Sequence, residues 1–291
     1  MRFLYLVLMW LFLPLTACGQ ATPSAYDPAK ASLLSEEKRR EYDVLLANEL
    51  DTWNTNSTRC NRNAYVFPGC RAAFFQQLAA DGYEIADIVA QIYFPEQGEI
   101  KQNRKAYERL HQLAEAGDKS ALCFAPYVFG KMGEKKGWPY TGESEARFTR
   151  RGMELGLPLC AVNEFYDYWS GTNGYPQDHQ MAHQRLLQAA KAGLYFGQER
   201  LHVHYGREGL GNLQTIRKAL CWGRLADQHS PSVRANVYAD SLRSAAWDPT
   251  DGRKLVRPEF MQLAEEWDSR STPHQVKKTT IEDCIQIEEE K

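Results

Sequence analysis

Residues 106–132 read AYERLHQLAEAGDKSALCFAPYVFGKM and hold one complete structural unit. Leu110, Leu113 and Ala114 recur at spacings of three and four, which places them on one face of a helix. Gly117 suits the left-handed conformation that closes helices. Asp118 then opens a second helix, whose apolar side carries Ala121, Ala125 and Phe129. The stretch predicts a helix–turn–helix hairpin.

The hairpin recurs along the chain. Gly82, Gly117, Gly156 and Gly193 stand 35, 39 and 37 residues apart, and His229 takes the fifth place 36 residues on. Seven residues before these anchors come Phe75, Leu110, Thr149, Leu186 and Trp222. Four before come Leu78, Leu113, Gly152, Ala189 and Leu225; three before, Ala79, Ala114, Met153, Ala190 and Ala226. Four after stand Ala86, Ala121, Cys160, Gly197 and Val233, nearly all small. Eight after stand Ala90, Ala125, Glu164, Leu201 and Val237; twelve after, Phe94, Phe129, Tyr168 and Tyr205, with Ser241 breaking the run. Small residues let the two helices of a hairpin approach closely, and each terminal aromatic fills the gap to the next unit.

At these residues the chain resembles the Sel1-like repeats, relatives of the tetratricopeptide repeats about 36 residues long. Gly117-Asp118-Lys119-Ser120-Ala121 matches the family's Gly-Asp-x-x-Ala turn, and Gln188-Ala189-Ala190-Lys191-Ala192-Gly193 matches the end of its first helix. The resemblance covers residues 70–245. It implies an all-α solenoid of about five divergent hairpins, with an N-terminal helix and a C-terminal capping helix. The departures are Gln91, Pro126, Phe165 and His202 where the family has a glycine in the second helix. Only Gly171 stands close to the family's closing Gly-x-Gly loop, and Pro126 should kink its helix.

The N-terminus sets the expected compartment. Met1-Arg2 is followed by an apolar run over residues 3–13, too short to span a bilayer, and then by Leu15-Thr16-Ala17-Cys18. That ending resembles the bacterial lipobox, which implies cleavage after residue 17 and acylation of Cys18; an ordinary secretory signal is the alternative. Gly19 is not the Asp associated with retention at the inner membrane, so the periplasmic face of the outer membrane is expected. Contact with the membrane would run through this anchor only. Residues 1–17 thus read as signal peptide, 18–35 as flexible tether, 36–256 as the helical repeat domain, and 257–291 as capping helix and tail.

Six of the seven cysteines then remain, enough for three disulfides in an oxidising compartment. Cys60–Cys70 closes a loop around Pro68-Gly69; Cys123–Cys160 would staple neighbouring repeats; Cys221–Cys284 would pin the tail. Buried free thiols are the alternative for the two longer pairs.

Little here carries chemistry. A formal charge of −2 gives no footprint for nucleic acid. His179 and His183 stand four apart, as in zincin proteases, but Gln180 replaces the general base and no third ligand presents itself. There is no Gly-x-Ser-x-Gly and no phosphate loop. No catalytic residue, metal site or cofactor is expected. Aromatic residues in or near the inter-repeat loops are the candidate partner contacts, chiefly Trp138, Tyr140, Trp169 and Tyr175, with core packing as the alternative. Sel1-like lipoproteins of this build are similar to the immunity proteins encoded beside type VI secretion effectors, phospholipase toxins in particular. The resemblance implies a protein partner, a cognate toxin. An envelope scaffold or peptidoglycan-associated adaptor is the alternative, and a hydrolase resting on His179 and His183 is a third reading.

The cysteine reading predicts that reductant lowers the denaturation midpoint, each lost bridge costing about 2–4 kcal/mol. An unchanged midpoint in chemical denaturation with and without dithiothreitol would contradict it.

Overall fold

A computed structural model describes residues 26–52, 68–93, 104–133, 139–207, 212–229, 242–243, 245–246, 257–267 and 279–290. Among the described residues the chain is helical, without strands. The helices are α1 (Pro28–Ala31), α2 (Glu36–Asp51), α3 (Pro68–Ala80), α4 (Glu84–Tyr93), α5 (Arg104–Ala116), α6 (Lys119–Met132) and α7 (Gly142–Glu154). They continue as α8 (Pro158–Ser170), α9 (His179–Lys191), α10 (Tyr195–Arg207), α11 (Leu213–His229), α12 (Pro258–Trp267) and α13 (Ile281–Glu289). From α3 to α11 each helix packs on its neighbours in sequence, as in an α solenoid.

The four anchor glycines do the same job. Gly82, Gly117, Gly156 and Gly193 have φ of 91, 88, 69 and 83°, the left-handed region that penalises a Cβ. Each N–H bonds the carbonyl three residues back, and the next residue's N–H bonds the carbonyl five back. At the second anchor these are Gly117 N to Ala114 O and Asp118 N to Leu113 O, both 3.0 Å. This pair of bonds is the Schellman motif, which satisfies the last carbonyls of the first helix and reverses the chain. Asp118 then caps α6, its carboxylate accepting from Ala121 N at 2.9 Å. Thr141 and Ser144 form a capping box on α7, and Pro158 occupies the first turn of α8.

Packing follows the register. Ala86, Ala121 and Cys160, four residues past their anchors, are fully buried, as are Phe75 and Leu110 before them. A Cβ on Gly197 would collide with the backbone of Ala190, so α9 and α10 touch there without an intervening side chain. The disulfide Cys123–Cys160 joins α6 to α8, and Cys221–Cys284 joins α11 to α13. Gly152 breaks the Leu/Ala pattern because a Cβ there would run into the Cys160 sulfur. Pro126 lies inside α6, which continues to Met132; Asn163 of α8 donates to the Cys123 carbonyl (3.0 Å) near the interrupted turn. Cys18, Cys60, the expected Cys60–Cys70 bridge, and the second helix expected after α11 lie outside the described residues.

Both ends return to the array. Phe260 and Leu263 of α12 pack with Ile216 and Leu220 of α11 in a second small core. On α13, Glu288 accepts from Trp222 Nε1 (2.8 Å) and Tyr205 OH (2.9 Å) and pairs with Lys218 (3.0 Å). The N-terminal helix α2 is the larger surprise. Instead of extending the stack it lies across it, against α3 and the second helices α6, α8 and α10. Its own Leu46, Ala47 and Leu50 are buried. Tyr42 donates to Asp81 at 2.9 Å, Tyr83 donates to Asp43, and Lys131 of α6 pairs with Asp51 at 2.8 Å. Asn48 reaches the α9–α10 turn, donating to Gly193 O (3.0 Å) and accepting from Tyr195 N (2.7 Å). Part of the second-helix face that a bare solenoid would offer to a partner is therefore occupied by the chain itself.

Two glycines test this packing. Gly197→Ala should destabilise by about 1–3 kcal/mol through overpacking against a rigid backbone. Gly130→Ala, with open space at its Cβ position, should be neutral or gain up to about 1 kcal/mol from helix propensity. Thermal or urea unfolding of both variants measures the contrast; equal effects would contradict the α9–α10 contact.

Candidate binding face

Beyond the end of α2 the outer flank of α8 carries large aromatics. The repeat assigns the inward side of α8 to Cys160, Glu164 and Tyr168, which leaves Tyr166 and Trp169 pointing elsewhere. They are 48% and 45% exposed, whereas Phe165 and Phe196 below them are buried. Ring centroids are 5.3 Å apart for Tyr166–Phe196, 5.7 Å for Phe165–Phe196 and 5.9 Å for Phe165–Trp169. The exposed rings thus rest on a fixed aromatic bed. Arg200 of α10 stacks over Phe196 at 5.3 Å, and His179 of α9 lies 4.6 Å from Trp169.

Phe165, Tyr166, Trp169, His179 and Arg200 line a groove of about 290 Å³ that also includes His183, Leu186, Val203, His204 and Arg207. No carboxylate lines it among the described residues. Glu199 reaches Arg200 Nε at 3.6 Å from the side. His183 Nε2 lies 3.2 Å from Tyr205 OH, whose proton goes to Glu288, and the ring faces His204 at 5.0 Å. His179 and His183 therefore have different neighbours, and no group of three metal-ligating side chains occurs among the described residues.

A second pocket, of about 520 Å³, adjoins the groove through Tyr166 and has Asp51, Lys131, Glu145 and Asp167 in its lining among others. Asp167 accepts from Asn173 Nδ2 at 2.7 Å, and burial, the largest influence, raises its pKa. Burial likewise raises Asp51 against the opposing pull of Lys131. Glu145 is 2% exposed and burial pushes it up to about 7, opposed by hydrogen bonding to Tyr107 and the charge of Arg147. His111 Nε2 lies 3.5 Å from Glu145, and desolvation lowers the imidazole's pKa.

Of the aromatics singled out in the sequence, Trp169 is exposed as expected and Trp138 lies outside the described residues. Tyr140 and Tyr175 need correction. Tyr140 is half-buried against His111 (4.5 Å) and Tyr107 (5.0 Å). Tyr175 is half-buried because Glu164, placed at an apolar repeat position, draws its hydroxyl to 3.0 Å and the guanidinium of Arg185 from the next helix. Both rings serve the scaffold. Tyr166 belongs to the aromatic-rich segment around Trp169 but was not among the chief candidates; Phe196 and Arg200 escaped sequence reasoning, although a position off the inward register was a usable signal.

No family model, curated protein or solved structure matches this chain. The functional reading therefore rests on its residues and their geometry.

The buried carboxyl makes a pH prediction. Folded Glu145 holds its proton up to about pH 7, while in the unfolded chain it loses it near 4.5. Folding takes up a proton in that window, so stability should fall as pH rises through it and level off above. Glu145→Gln should remove its share of the slope, about 2–3 kcal/mol between pH 4.5 and 7.5, in urea titrations at each pH. An equal slope in the variant would contradict the burial of this group.

Proposed function

We propose that this chain is a non-catalytic, lipid-anchored periplasmic binding module of Sel1-like hairpins, an immunity protein that seizes and neutralises a secreted phospholipase-type toxin. The observation that carries it is the Tyr166–Trp169 pair, held half-exposed on buried Phe165 and Phe196 with Arg200 alongside. Tyr, Trp and Arg on a rigid bed have the composition of interface hot spots, since large contact area is gained with little loss of side-chain freedom. Other features support the compartment. Two long-range disulfides fit an oxidising environment, and the Leu15–Cys18 stretch supplies the anchor. No helix among the described residues is long and apolar enough to cross a membrane.

The stacked helices and bridges hold the face rigid, so binding pays little ordering entropy. The toxin would be blocked by occlusion of its active site or of the surface that approaches lipid. The test pairs the purified chain with the product of an adjacent secreted-phospholipase gene. Trp169→Ala and Tyr166→Ala should each weaken the complex at least tenfold in calorimetric titration, on the order of 1.4 kcal/mol or more, with unfolding midpoints unchanged. Full affinity in both variants, or phospholipid hydrolysis by the chain alone, would contradict the proposal.

A further inference from the structure

The groove beside Trp169 is cationic as well as aromatic. Arg200 and Arg207 are both exposed and stand seven residues apart on α10, about 10 Å along the helix axis and on nearly the same side. His179 of α9 and His204 of α10 add imidazoles at the same rim. Glu199 reaches Arg200 from the side at 3.6 Å, and no carboxylate lines the groove itself among the described residues. The adjoining pocket differs in kind, with Lys131 beside Asp51, Glu145 and Asp167 in its wall.

From this arrangement we infer that the groove takes an acidic segment of the protein partner, with carboxylates on Arg200 and Arg207 and an intervening apolar side chain against Tyr166 and Trp169. The inference deepens the binding-module reading and rests on it. In an extended segment, side chains four residues apart share a face about 13 Å apart, with the side chain midway between them on that same face, and flexible Glu and Arg side chains close this span onto residues about 10 Å apart along α10. Arginine suits the role because its planar fork grips a carboxylate through two hydrogen bonds while its face stacks on aromatic rings. Arg200 already lies over Phe196, so its guanidinium is partly positioned before any partner arrives.

The probe is a synthetic peptide, acetyl-Glu-Ser-Phe-Ser-Glu-amide, titrated into the purified full chain and followed through the Trp169 indole N–H signal by nuclear magnetic resonance. The counterpart with both Glu replaced by Gln is the control. The expected result is saturable binding of the acidic peptide at least tenfold tighter than that of the control, weakened further by 0.5 M salt. Arg200→Gln with Arg207→Gln should reduce it to the control's level, and Arg200→Lys should retain part of it. Equal binding of the two peptides, or unchanged binding in the double arginine variant, overturns the inference. So do phosphatidylglycerol vesicles that bind through these arginines in preference to the peptide, since the face would then read lipid. Against the toxin, loss of affinity in Trp169→Ala but not in the arginine variant defeats this inference alone, whereas full affinity in both defeats the binding reading too.

Discussion

Asn48 ties the first helix of the domain to the turn between α9 and α10, and much else follows from that tie. Its amide donates to Gly193 O and accepts from Tyr195 N, closing a contact between residues nearly 150 positions apart in sequence. A buried amide with both ends satisfied fixes direction as well as distance, because a slip of one residue would leave two backbone groups unpaired. A repeat array whose units touch only their neighbours gains from this a long-range brace. The Cys123–Cys160 and Cys221–Cys284 bridges act in the same sense, across α6–α8 and α11–α13.

The brace also decides which surface is open. With Leu46, Ala47 and Leu50 of α2 packed over α6, α8 and α10, that part of the second-helix face is core. Past Asp51 the face continues with Tyr166, Trp169 and Arg200, where rings stay exposed on buried rings. The mixed-charge pocket, where Lys131 pairs with Asp51, and the arginine-lined groove meet at Tyr166, so two charge patterns sit side by side across one aromatic divide. Such a surface selects by charge pattern as well as by shape, which is how a binding module discriminates one partner from its relatives.

The hairpins were legible in the sequence because their determinants are local. A left-handed turn residue, an Asp cap and a face of spaced apolar residues can be read within one unit, and Gly82, Gly117, Gly156 and Gly193 all adopt the expected conformation. The two longer disulfides followed from cysteines that lie in neighbouring repeats or near the tail. What escaped was set by distant partners. An N-terminal helix was expected, but nothing in its sequence named the surface it would cover. Asn48 reads as an exposed polar residue until Gly193 is placed beside it. Tyr140 and Tyr175 looked like loop aromatics free to bind, yet His111 and Glu164 draw them inward. Glu164 at an apolar position was the visible warning that a donor would have to come from outside its helix.

The central claim is that α2 is an integral brace rather than a detachable arm. Native-state hydrogen exchange measures this directly, amide by amide, as denaturant is raised below the unfolding transition. Residues 46–50 should open only with global unfolding, at the same free energy as residues 121–125 of α6. Exchange of 46–50 through a separate low-energy opening, with α6 and α8 still protected, would show that α2 leaves the array on its own and that the second-helix face is open to a partner.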